Sequence, residues 1–144
     1  MNATATAPLK GKVLVIDDNP IIQRAVYFCL RDHGVKVLMS GDVTESLHMI
    51  RQEQPDVIVL DINFPPDVMF GNQRDGFWAI DWMHRVQGIK DTPIIMISSD
   101  DPEKVRARAL AAGAVEFLQK PLNKAQLVAL VLELIVKKSA LQPA

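Results

Sequence analysis

The stretch Val57-Ile58-Val59-Leu60-Asp61, four consecutive apolar residues ending on a carboxylate, constrains this chain more than any other. A short β-branched run of this kind reads as a strand buried on both faces, and such strands belong to parallel sheets covered by helices. In open α/β sheets the chemistry lies in the crevice beyond the carboxyl ends of the strands. Two other runs repeat the pattern: Val13-Leu14-Val15-Ile16 ends on Asp17-Asp18, and Ile94-Ile95-Met96-Ile97 ends on Ser98-Ser99. A fourth, Val115-Glu116-Phe117-Leu118, is followed by Gln119 and Lys120-Pro121. One sheet edge is thus expected to collect three carboxylates, hydroxyls and an ammonium.

The segments between these runs carry helix punctuation. Asn19-Pro20 suits a cap followed by a first helical position, with the helix continuing to Asp32 or His33 and stopping at Gly34. Val35 to Met39, carrying Lys36, reads as an edge strand. Asp42 with Glu45 opens a second helix that ends before Pro55. Gly76 leads into a third helix to about Val86, Asp101-Pro102 opens a fourth that Gly113 closes, and a last one spans Leu122 to Lys138. Alternating strands and helices specify right-handed crossovers with helices on both faces. The expected architecture is a doubly wound, flavodoxin-like (βα)5 fold, five parallel strands in the order 2-1-3-4-5, which puts Asp17 and Asp18 beside Asp61.

Composition narrows the function. The net charge of -1, with no Lys/Arg cluster able to follow a phosphate backbone, gives no reason to expect nucleic-acid binding. The longest apolar stretch, Leu127 to Val136, is too short to span a bilayer and is interrupted by Glu133, so no membrane role is expected. A lone cysteine, Cys29, and an N-terminus without a long apolar core suit a cytoplasmic protein. The three histidines are scattered over separate helices without ligand spacing.

Three carboxylates within ~4–6 Å repel one another by a few kcal/mol per pair at an effective dielectric of ~20 and need a counter-charge. Mg²⁺ suits hard oxygen ligands of this type, keeping several waters and leaving room for a phosphoryl oxygen. A carboxylate in such a setting can act as nucleophile toward an activated phosphoryl group. Ser98 then suits a hydrogen bond to one phosphoryl oxygen and Lys120 the neutralisation of another. Taken singly, each of these motifs has an ordinary structural reading as a cap, a turn or a core aromatic. Together, in order and at strand ends, they are specific.

With Asp17-Asp18, Asp61, Ser98, Lys120-Pro121 and the stretch Ala112 to Leu118 in these places, the chain resembles the receiver domain of two-component response regulators from about Lys12 to Lys138. Residues 1–11 and 139–144 then read as tails, and the whole as a single receiver, stand-alone or excised. The resemblance implies a phosphoacceptor signalling domain and not an enzyme beyond its own autophosphorylation and autodephosphorylation. Asp61 would take a phosphoryl group from a histidine kinase or histidine phosphotransfer protein. Asp17, Asp18, Asp61 and the main-chain carbonyl of Asn63 would hold Mg²⁺. Ser98 and Phe117 would form the switch that remodels the face of the fourth helix, fifth strand and fifth helix. Asn63 and Asp100 occupy positions that tune hydrolysis in such proteins.

Two departures stand out. Asp75-Gly76 puts the loop glycine fifteen residues after Asp61, where eight is usual, so residues 66–75 read as an insertion. Trp78, Trp82 and Val86 widen the apolar arc of the third helix, and Val68-Met69-Phe70 is expected to cover them, with a partner protein as the alternative cover. Apolar residues also cover most directions of the last helix, which suggests a homodimer or an output partner docked along Leu127 to Val136. Rival functions are a phosphorelay intermediate, a pseudo-receiver acting without phosphorylation, and a haloacid dehalogenase-type phosphatase. The last lacks its second acid, since Asn63 stands in that position.

Overall fold

The computed structural model describes residues 11–63, 76–85 and 91–141. Five strands alternate with five helices: β1 Gly11–Ile16, α1 Pro20–Leu30, β2 Val35–Ser40, α2 Val43–Glu53, β3 Val57–Asp61, α3 Gly76–Arg85, β4 Ile94–Ser98, α4 Pro102–Ala112, β5 Glu116–Gln119 and α5 Lys124–Leu141. All strand pairs are parallel, in the order β2-β1-β3-β4-β5, as the sequence pattern predicts.

The all-apolar strands serve two cores because successive side chains point to opposite faces. Leu14, Ile16, Ile58, Leu60, Ile94, Met96 and Phe117 pack beneath α2, α3 and α4. Val13, Val15, Val57, Val59, Ile95, Ile97 and Leu118 pack beneath α1 and α5. Val57 to Leu60 are fully buried, each contributing about 2 kcal/mol of hydrophobic stabilisation before the entropy of ordering is subtracted. The helices are anchored unequally. α3 buries Phe77, Ile80 and Met83, and α5 buries Leu127, Val131 and Ile135. α4 buries only Ala109, with Val105 and Ala112 partly covered, so its apolar hold is smaller by about 4 kcal/mol or more.

The punctuation acts where it was expected, with small shifts at the ends. Asn19 Oδ1 accepts from Ile21 N at 2.9 Å, Asp42 Oδ1 from Glu45 N at 2.7 Å, and Asp101 Oδ1 from Glu103 N at 3.0 Å. Gly34 and Gly113 take left-handed conformations, with φ of 76° and 119°. α1 stops at Leu30, and Arg31–His33 tighten into a 3-10 turn, a common way for a helix end to satisfy its last carbonyls. β1 starts at Gly11, β5 spans Glu116–Gln119, and α5 starts at Lys124 with Asn123 Oδ1 accepting from Gln126 N. α5 also runs past Lys138 to Leu141, because nothing before Pro143 breaks it.

Trp82 is half-buried against the core beneath α3. The Trp78 side chain, Val86, Val68-Met69-Phe70 and the insertion at 66–75 lie outside the described residues. In α5, Leu127, Val131 and Ile135 face the sheet, while Val128, Leu130, Leu132 and Leu134 are partly buried around them. Much of the apolar surface that the helical wheel left over is therefore used within the chain, and Val136 stays 49% exposed.

Candidate functional site

Strand register brings the site together. Ile16 pairs with Leu60, so Asp17 and Asp61 leave neighbouring strands at the same level. Asp61 pairs with Ile97, which places Ser98 one step further on β4, and Ser98 pairs with Gln119, immediately before Lys120. Carboxylate oxygens of Asp17, Asp18 and Asp61 all lie within 4.8 Å of one another. Asp17, Asp61 and Ser98 are buried, and Asp18 is exposed at the rim.

Lys120 closes the cluster. Its Nζ lies 2.9 Å from Asp17 Oδ2 and 3.3 Å from Asp61 Oδ2. Burial works against the ammonium, but the contacts with Asp17 and Asp61 outweigh it and hold the Lys120 pKa above the usual lysine value. Asp61 is shifted upward as well. Burial is the main cause and the neighbouring Asp17 charge the second, opposed by the Asn63 N–H and by Lys120. A single ammonium therefore leaves the carboxylates undercompensated.

Asp17 Oδ2 is fully buried, and the Lys120 ammonium that meets it is shared with Asp61. A buried carboxylate oxygen without a donor costs free energy unless a cation meets it. Its companion Oδ1 accepts from Asn19 N at 2.9 Å, which orients the group. A hard divalent cation fits this all-oxygen donor set, in which two buried carboxylates share one ammonium.

Other contacts position the machinery. Asn63 N donates to Asp61 Oδ1 at 3.0 Å, and the Asn63 carboxamide donates to Ser98 Oγ at 3.2 Å. Asp100 N also donates to Ser98 Oγ, at 3.0 Å, so the serine hydroxyl accepts twice and keeps its own proton to donate. Lys120 N donates to Ser98 O at 2.8 Å, and the Lys120–Pro121 peptide is cis. Gln23, which sequence reasoning missed, donates from α1 to Asp17 O at 2.7 Å. No local signal marks it, because its partner is set by the path of the loop. Phe117 sits 4% exposed in the core beneath α4, away from the carboxylates.

A separate open cavity of about 420 Å³ lies among Gly11, Lys12, Gly34, Lys36, Glu53, Gln54 and Asp56, beside the start of β1 rather than its Asp17 end. Its charges are paired among themselves: Lys12 and Lys36 contact Glu53, and Lys138 Nζ lies 2.7 Å from Asp56 Oδ1. It reads as a structural clamp on the end of α5.

A parallel five-stranded sheet with an acidic cluster, a hydroxyl and a lysine at its carboxyl edge defines a phosphoacceptor class of signalling domain. Residues 13–132 match the family described as response regulator receiver domain, and the chain belongs to that family. It is 31% identical over 117 residues to Protein PilG of Pseudomonas aeruginosa, covering 81% of this chain and 82% of that one. It is 34% identical over 113 residues to protein-glutamate methylesterase/protein-glutamine glutaminase 3 of Rhodospirillum rubrum, covering 76% of this chain and only 28% of that protein's length. Among solved structures, the chemotaxis response regulator CheY4 of Vibrio cholerae superposes with a TM-score of 0.74 at 30% identity, covering 87% of this chain and 98% of that one. No helix among the described residues is long and apolar enough to cross a membrane.

Proposed function

We propose that Asp61 accepts a phosphoryl group from a histidine kinase or a histidine phosphotransfer protein and that the resulting acyl phosphate switches a protein-interaction face. The observation that carries this reading is the bridge of one ammonium, Lys120, between the buried carboxylates of Asp17 and Asp61. An Asp61 carboxylate oxygen attacks phosphorus, the P–N bond to the donor imidazole breaks, and the imidazole takes a proton from solvent. Lys120 follows the charge onto a phosphoryl oxygen, and Ser98 donates its hydroxyl proton to another. Asp17, Asp18, Asp61 and the Asn63 carbonyl would hold Mg²⁺, which neutralises phosphoryl charge when bound.

The chain's own chemistry is then limited to gaining the group and losing it to water. The receiver unit is assigned to residues 12–138, and its location to the cytoplasm, where the single cysteine stays reduced. Output is assigned to α4, β5 and α5, where Leu110, Val115 and Val136 remain exposed.

The test is intact mass after exposure to acetyl phosphate or phosphoramidate, with and without Mg²⁺, for the native chain and Asp61→Asn. A Mg²⁺-dependent gain of one phosphoryl group, absent in the variant, is the expected result. No gain by a folded, Mg²⁺-bound protein, repeated with a cognate kinase, would leave a pseudo-receiver. Passage of the label to a phosphotransfer histidine would identify a relay intermediate.

A further inference from the structure

α4 lies over the core that holds Phe117 with the weakest apolar footing of the five helices, and two arginines secure its flanks. Arg106 Nη1 lies 2.9 Å from Glu116 Oε1, an oxygen that also accepts the Phe117 N–H at 2.9 Å. Both side chains of that pair are substantially exposed, so solvent weakens it. Arg108 is placed differently. Its guanidinium carbon stands 3.9 Å from the ring centroid of Phe77, which is only 8% exposed. The ring is sheltered but Arg108 itself is exposed, so the contact is of the modest kind that a cation makes with a ring at a surface.

Phe77 lies in the first turn of α3, directly beside the acceptor strand. It follows Gly76, whose N–H donates to Ile62 O at 2.9 Å. The fit there is tight: a Cβ on Gly76 would lie 2.7 Å from Asp61 O and 2.6 Å from Ile62 Cα. A shift at the end of β3 is therefore passed to Gly76 and Phe77 rather than absorbed by empty space. At the other end of the interface, the His84 ring packs against Gly113, the left-handed cap of α4.

We propose that Arg108 and Phe77 form a latch that holds α4 in its resting position and couples it to Asp61 through α3. This is a second route beside Ser98 and Phe117, and it rests on the phosphoacceptor reading of Asp61. Arg108 is a positioning residue here, not a catalytic one. A contact made only in the resting arrangement lowers the population of the other, so removing it strengthens binding of any ligand that favours the active arrangement.

The experiment uses the full chain with three single variants and one double variant. Arg108→Met keeps the aliphatic packing without the charge, Arg108→Lys keeps a cation, and Phe77→Leu keeps the burial without the ring. Amide hydrogen exchange is followed over residues 102–112, and affinity is measured for fluoroberyllate, a phosphoryl mimic, at saturating Mg²⁺. Arg108→Met should speed exchange in α4 several-fold, leave α1 and α5 unchanged, and bind fluoroberyllate about fivefold more tightly. Arg108→Lys should fall between, and Arg108→Met combined with Phe77→Leu should add little, since the first change already removes the shared contact. Unchanged α4 exchange overturns the latch. Faster exchange with unchanged or weaker fluoroberyllate binding overturns the coupling, because a merely structural contact loosens α4 without tightening the mimic. A native chain that neither binds fluoroberyllate nor gains mass from acetyl phosphate overturns the acceptor reading and its link to Arg108, while exchange still decides whether Arg108 holds α4.

Discussion

Asp61 and Lys120 carry opposite consequences for stability. An acid whose folded-state pKa is raised costs nothing at low pH, where folded and unfolded chains both hold the proton. The cost grows as pH rises above the ordinary aspartate value of 3.8 and is complete above the folded value. Asp61→Asn removes that cost and keeps an acceptor for the Asn63 N–H. In EDTA at pH 7 it should melt a few degrees above the native chain, with the difference gone near about pH 3. Thermal melts across that range check it, and a variant less stable at pH 7 would contradict the undercompensated cluster. Lys120 is a base with a raised pKa, so its stabilisation is complete below 10.5 and fades only above that. Lys120→Met should therefore cost about 2–4 kcal/mol at pH 7 without metal, because it strands two buried carboxylates. It should also bind Mg²⁺ several-fold more tightly, since no ammonium competes for Asp17 and Asp61; titration calorimetry reads this directly.

Among the elements, the end of β3 and the start of α3 meet backbone to backbone. Gly76→Ala would drive a Cβ into the backbone of Asp61 and Ile62, which cannot rotate away as a side chain could. A loss of about 2–4 kcal/mol in denaturant melts is expected, together with weaker Mg²⁺ binding as Asp61 shifts. In α5, Val131→Ala should cost about 2 kcal/mol, because Val131 is fully buried beneath the sheet. Val136→Ala should cost only a few tenths, since that side chain is half exposed. The extent of α5 illustrates how local and tertiary effects divide: its existence is legible from the apolar run, but the depth of Val128, Leu130, Leu132 and Leu134 depends on neighbours in α1 and the sheet.

At the scale of the whole molecule, the two poles of the sheet are unlike. One gathers the acidic cluster, and the other is tied by the Lys12–Glu53 and Lys138–Asp56 pairs. The side of α4, β5 and α5 carries the exposed Leu110, Val115 and Val136. If that face pairs with a second copy on activation, sedimentation should show a concentration-dependent dimer in fluoroberyllate and Mg²⁺ but not without them. A monomer in both conditions at high concentration assigns the face to a different partner.

The sequence by itself determined the strand count, the parallel order and the strand-end places of Asp17, Asp18, Asp61, Ser98 and Lys120. Buried apolar runs, helix caps and turn glycines are local rules, and their alternation along the chain leaves few topologies. Only the tertiary structure decided that Asp17 and Asp61 share one ammonium, that Gln23 reaches Asp17 and the Asn63 carboxamide reaches Ser98, and that Arg108 lies over Phe77. Those contacts join residues far apart in the chain or across a loop, and their distances come from strand register and helix packing, which no local pattern encodes.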